Sequence, residues 1–160
     1  MAKEITEERL KETATKIQDK LNADKQVRAE CEKVALALSR FNESDQKVDP
    51  DKIQIKVSLT EPMRGDSVGH LSVQAFLKDA VVEGLGEDAI YASKIHGLPI
   101  LQKALQAFPS AMREQVKAGP VAYHDPYDKY PVMSFTYDVP SERQLSALEN
   151  HFRDKVMGIF

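Results

Sequence analysis

The chain has 160 residues, the size of one ordinary domain, and its 42% hydrophobic and 29% charged content is that of a globular protein rather than a disordered or fibrous one. Acidic residues number 25 against 22 basic, a formal charge of -3 spread evenly along the chain, so no basic footprint for a nucleic-acid backbone stands out. With no Trp and 7% aromatic residues, stacking platforms for single strands are few.

A single cysteine, Cys31, excludes an intramolecular disulfide and an all-cysteine metal site. The N-terminus is charged from Lys3 onward and has no apolar core of the secretory kind. No apolar run approaches the roughly 20 residues that a bilayer span needs. The expectation is a cytoplasmic protein that does not enter the membrane.

Residues 1–41 read as a helical N-terminal segment without Gly or Pro. Leu10, Ala14, Ile17 and Leu21 fall on one helical face, with Thr6 as the cap and Glu7 and Glu8 at the positive end of the dipole. Val27, Cys31, Val34, Leu38 and Phe41 make a second stripe. The six-residue step from Leu21 to Val27 breaks the phase, and Asn22 to Asp24 favour ending one helix there and capping another. Residues 42–51 are polar and turn-rich, and they separate this segment from an α+β domain at 52–160; one domain overall is the alternative division.

Ile53, Ile55, Val57 and Leu59 alternate with Gln54, Lys56 and Ser58, the period of a half-exposed antiparallel strand. After a loop at 61–66, residues 67–85 satisfy two patterns. Leu71, Val73, Ala75 and Leu77 alternate, whereas Val68, Leu71, Phe76, Ala80 and Val81 have helical spacing; segment length favours a buried helix ending at Gly84 or Gly86.

Three short helices are expected next. One starts near Glu87 and ends at His96, and one begins at Pro99 with Leu101, Ala104, Leu105 and Phe108 inward. The third is capped by Ser110, has Met112 and Val116 inward, and is closed by Gly119 and Pro120. Strand-prone runs at 120–124 and 131–138 flank a turn-rich loop and predict a hairpin. Ser141 and Gln144 have capping-box spacing before a final helix with Leu145, Leu148, Phe152, Val156 and Ile159 on one face. The fold class is α+β: a small antiparallel sheet, strands near 52–59, 120–124 and 131–138, packed by helices.

Gly84-Leu85-Gly86 lacks the remaining glycines of a phosphate-binding loop, and no His-Glu-x-x-His occurs, so neither cofactor nor metal is expected. Cys31, inside an apolar stripe, reads as a small core residue. His96 and His151 read as structural or solvated. The densest polar cluster is Tyr123, His124, Asp125, Tyr127, Asp128 and Tyr130, which suits turn chemistry, a partner contact, or a carboxylate-oriented imidazole. Arg64, beside the start of the next element, and His70 would join that cluster in an anion site if the sheet brought them together.

The leading expectation is a non-enzymatic adaptor, inhibitor or assembly subunit that recognises another protein or a second copy of itself through its surface. A small-molecule binder or hydrolase using the 124–130 loop with Arg64 is the alternative. A nucleic-acid accessory role comes third, because Lys11, Lys25, Lys33 and Arg40 are interleaved with Glu as on a solvated helix.

Overall fold

Two helical stripes and one alternating strand set the framework. In a computed structural model that describes residues 5–39, 49–62, 65–77, 99–116, 121–124 and 131–153, they become α1 (Glu7–Ala23), α2 (Lys25–Ser39) and β1 (Ile53–Thr60). A 3-10 turn, Pro50–Lys52, leads into β1. Then come β2 (Gly69–Leu77), α3 (helical residues 99–106), α4 (Ser110–Gln115), β3 (Val121–His124), β4 (Pro131–Val139) and α5 (Glu142–His151). The strands form one antiparallel sheet in the order β1-β2-β4-β3, and the class is α+β.

The helix break falls at Asp24, which leaves helical geometry and accepts hydrogen bonds at Oδ1 from the Gln26 and Val27 amides, at 2.8 and 3.1 Å. A side-chain oxygen there satisfies two of the amides that a helix start leaves orphaned. Thr6 caps α1 through its contact with the Arg9 amide, and Ser141 caps α5 through Gln144. Ser110 does not cap α4: Pro109 stands at that position, its carbonyl accepts from the Met112 and Arg113 amides, and Ser110 is already helical. The helix expected at 87–96 lies outside the described residues.

Residues 69–77 correct the helix expected over 67–85. They are a strand, paired to β1 from Leu77 through His70 and to β4 from Gly69 through Ala75. Leu71 and Val73 are buried while His70, Ser72 and Gln74 lie on the opposite, partly exposed face. The helical spacing was coincidental. β1 offers a row of unpaired backbone groups a short loop away, and a segment whose alternation matches can satisfy its own backbone on both sides. Residues 78–85 are not among those described.

Ile53, Ile55, Val57 and Leu59 of β1, Leu71 and Val73 of β2, and Phe135, Tyr137 and Val139 of β4 close one buried cluster with Leu10, Ile17, Val27 and Leu101. Phe108 sits within it, edge-on to Phe135 at 5.8 Å and to Phe152 at 4.9 Å between ring centres. It therefore joins the α3–α4 junction to β4 and to the end of α5. Arg9 ties α1 to α5: Nη2 donates to Glu149 Oε1 at 2.6 Å, to Glu142 Oε1 at 3.0 Å and to Ser146 Oγ at 3.1 Å. The N-terminal helices thus pack on the sheet and do not project.

Phe108→Ala removes a fully buried ring with two aromatic neighbours and leaves a cavity in the core. Urea unfolding should show a loss of about 3–5 kcal/mol. A loss under about 1 kcal/mol would mean that Phe108 does not hold the junction.

Candidate functional site

Among the described residues β1 ends the sheet, so one row of its backbone N–H and C=O groups has no strand partner there. Such an edge invites another chain, and proteins commonly cover it. Here helix side chains do so along the first half of the strand. Arg28 Nη2 donates to the Ile53 carbonyl at 2.8 Å. Asn22 engages Ile55 twice, its Nδ2 donating to the carbonyl at 2.9 Å and its Oδ1 accepting from the amide at 2.8 Å. Gln18 Oε1 accepts from the Val57 amide at 3.0 Å.

The sequence explains this placement. Gln18 and Asn22 each follow a core residue, Ile17 and Leu21, so they lie on the flank of the stripe that packs on β1. Their amides then reach past the strand edge, and Asn22 presents one donor and one acceptor just as a neighbouring strand residue would.

Among the described residues this ladder stops at the Val57 amide. α1 crosses the strand obliquely: its C-terminal half flanks the edge, while Arg9 in its first turns is held by α5. Leu10 lies close to the start of β2. A Cβ added to Gly69 would meet Leu59 Cδ1 at 3.1 Å and Leu10 Cδ2 at 3.4 Å, so glycine permits this approach. Between the diverging helix and the end of β1 lies a half-open groove of about 550 Å³. Leu10, Ala14, Val57 and Leu59 supply its apolar surface, and Glu7, Lys11, Thr15 and Glu61 its polar rim.

Of the residues singled out from sequence, His70 has a defined setting. Its Nδ1–H donates to Asp138 Oδ1 at 2.7 Å across the β2–β4 pair, on the sheet face away from the buried cluster. A carboxylate only accepts, so this contact fixes the proton on Nδ1 and leaves Nε2 of the neutral ring as an acceptor. His70 is therefore a strand residue and not, as its expected position implied, one turn into a helix. No hydroxyl is hydrogen-bonded to Nε2 among the described residues, and no group of three or more metal-ligating side chains occurs among them.

Tyr123 and His124 belong to β3, opposite Val132 and Pro131. Because His70 pairs with Asp138 and His124 with Pro131, the two histidines sit toward opposite ends of β4. At about 3.3 Å per residue their backbones are separated by roughly 23 Å along the strand. The register does not bring them to one site. Arg64, Asp125, Tyr127, Asp128 and Tyr130 lie outside the described residues. His151 Nε2–H donates to the Ala107 carbonyl at 2.7 Å, a bond that links α5 to the turn before Phe108.

Cys31 is fully buried, and burial pushes its thiol above the usual range although Arg28, with Nη2 3.2 Å from Sγ, pulls the other way. It is a core residue, not a nucleophile. Burial raises the Tyr137 phenol as well. Both groups bind their protons more tightly folded than unfolded, so their share of stability is intact at neutral pH and is lost as pH climbs above the ordinary thiol and phenol values, about 8.5 and 10.

Chemical denaturation should therefore show stability declining above about pH 9, less steeply in Cys31→Ala. An unchanged slope in that variant would remove the thiol from the account. Asn22→Ala leaves the Ile55 amide and carbonyl without their side-chain partner and should cost about 1–3 kcal/mol, more than the few tenths expected of an ordinary surface change.

No protein-family model, no curated protein and no solved structure matches this chain, so its edge groove and its His70–Asp138 pair stand on their own geometry.

Proposed function

We propose that this chain is a non-enzymatic interaction protein, an adaptor, inhibitor or assembly subunit that works in the cytoplasm by surface recognition. The observation that supports it most is the half-sealed edge of β1. Three helix side chains occupy the outward backbone groups from the Ile53 carbonyl to the Val57 amide, and the same edge then borders a groove with an apolar floor and a charged rim. A fold that covers one half of an edge and leaves the other beside a groove presents a defined contact surface.

The described chemistry-bearing groups favour this over catalysis. His70 is part-buried and Asp138 is more than a third exposed, and among the described residues no group of three metal-ligating side chains gathers round them. General acid–base work needs an imidazole aimed at a substrate in a setting that excludes water. The tyrosine-rich residues between β3 and β4 supply a further contact in this reading, since aromatic side chains bury much area at low entropic cost.

Light scattering on the purified protein, combined with chemical cross-linking of cell extract and mass spectrometry, tests the reading. The expected result is a defined oligomer or one stoichiometric partner, cross-linked through lysines near the groove such as Lys11. A strict monomer that yields no reproducible cross-linked partner would overturn it.

A further inference from the structure

The edge groove carries its own specification of what would fill it. Ile53, Ile55 and Val57 turn their backbone groups away from β2, as their bonds to Arg28, Asn22 and Gln18 demonstrate. With a period of two, the Leu59 amide and carbonyl turn the same way, together with the Val57 carbonyl. Among the described residues none of these three groups has a side-chain partner of the kind Asn22 gives Ile55. They run acceptor, donor, acceptor along an edge. A second strand matches that order; a helix cannot, because its own backbone groups are already bonded.

Next to those groups, Leu10, Ala14 and Leu59 form an apolar recess. Glu7 and Glu61 stand on the rim against one lysine, Lys11, so the rim is acidic on balance. A second copy is a poor occupant on two counts. It would set one acidic rim against an identical one, and the edge is short, since β1 ends at Thr60. A few paired residues fall well below the roughly 1,200 Å² that a stable interface buries, whereas an extended peptide needs no such area.

We propose that the Val57–Glu61 edge binds an extended segment of a partner protein as an added strand, with one apolar side chain in the recess beside Leu10 and Leu59 and Lys or Arg residues flanking it toward Glu7 and Glu61. This inference rests on the recognition role proposed above and names the chemistry of its partner.

Fluorescence anisotropy with the full-length chain tests it, using a fluorescein-labelled heptapeptide that has a central leucine, threonines beside it and lysines at both ends. An added strand turns only alternate peptide nitrogens toward β1. N-methylation of one alternate set should therefore weaken binding about ten-fold or more, and methylation of the other set should leave it near the parent value. Replacing the lysines by glutamates should weaken binding by a similar factor, and the exposed double substitution Glu7→Lys with Glu61→Lys should reverse that preference while circular dichroism confirms an unchanged fold.

Equal tolerance of both methylated peptides, or no binding by any peptide, overturns the inference. If no peptide binds but light scattering finds a dimer that Glu7→Lys with Glu61→Lys disrupts, the edge takes a second copy: the inference falls and the recognition role stands. If peptides fail and neither oligomer nor partner is found, both fall.

Discussion

The packing of α1 along β1 governs what the rest of this molecule presents. One face of the helix, Leu10 through Leu21, meets one face of the strand, Ile53 through Leu59, and both sets lie in the one buried cluster. That contact is nondirectional, since apolar burial rewards area rather than angle. The direction comes from polar groups at either end of the helix. Asn22 and Gln18 bind the strand backbone, and Arg9 binds the carboxylates of α5. Between these two anchors the crossing angle is fixed, and with it the point at which helix and strand edge part company.

The groove follows from that angle. A helix lying parallel to β1 throughout would cover the whole edge; one held at its N-terminal end by α5 must leave the last residues of the strand open. Gly69 eases the arrangement, because a Cβ there would press on Leu59 at 3.1 Å and touch Leu10 at 3.4 Å. Arg9 is held well by its surroundings: the Glu149 hydrogen bond, and after it that of Glu142, raise its already high affinity for its proton. The charge is permanent, so the clamp that sets the angle does not titrate in any physiological range.

The sheet divides its two faces unequally. The face toward the helices is filled by Ile55, Val73, Phe135 and their neighbours, whereas the opposite face of its first three strands carries Lys56, His70, Gln74, Thr136 and Asp138. On that second face the His70–Asp138 pair joins β2 to β4 and orients an imidazole. It is a structural cross-strand contact of the kind that stabilises antiparallel sheets, set at the end of the sheet remote from the β3–β4 turn.

Much of this was legible from residue order alone. The stripes of α1 and α2, the break at Asp24, the caps at Thr6 and Ser141, the alternation of β1 and the β3–β4 hairpin all arise from local periodicity and capping, which depend on neighbours within four residues. Segment 69–77 was not decidable that way, because its apolar residues satisfy both periods and the choice fell to the strands on either side. The edge ladder left only a faint mark, polar Gln18 and Asn22 directly after Ile17 and Leu21, and what they bind lies more than thirty residues away. Whether histidines far apart in the chain converge depends on register across β4, a property no single segment carries. Local chemistry chose the elements; long-range backbone pairing and one partly buried arginine decided where α1 and the edge of β1 part.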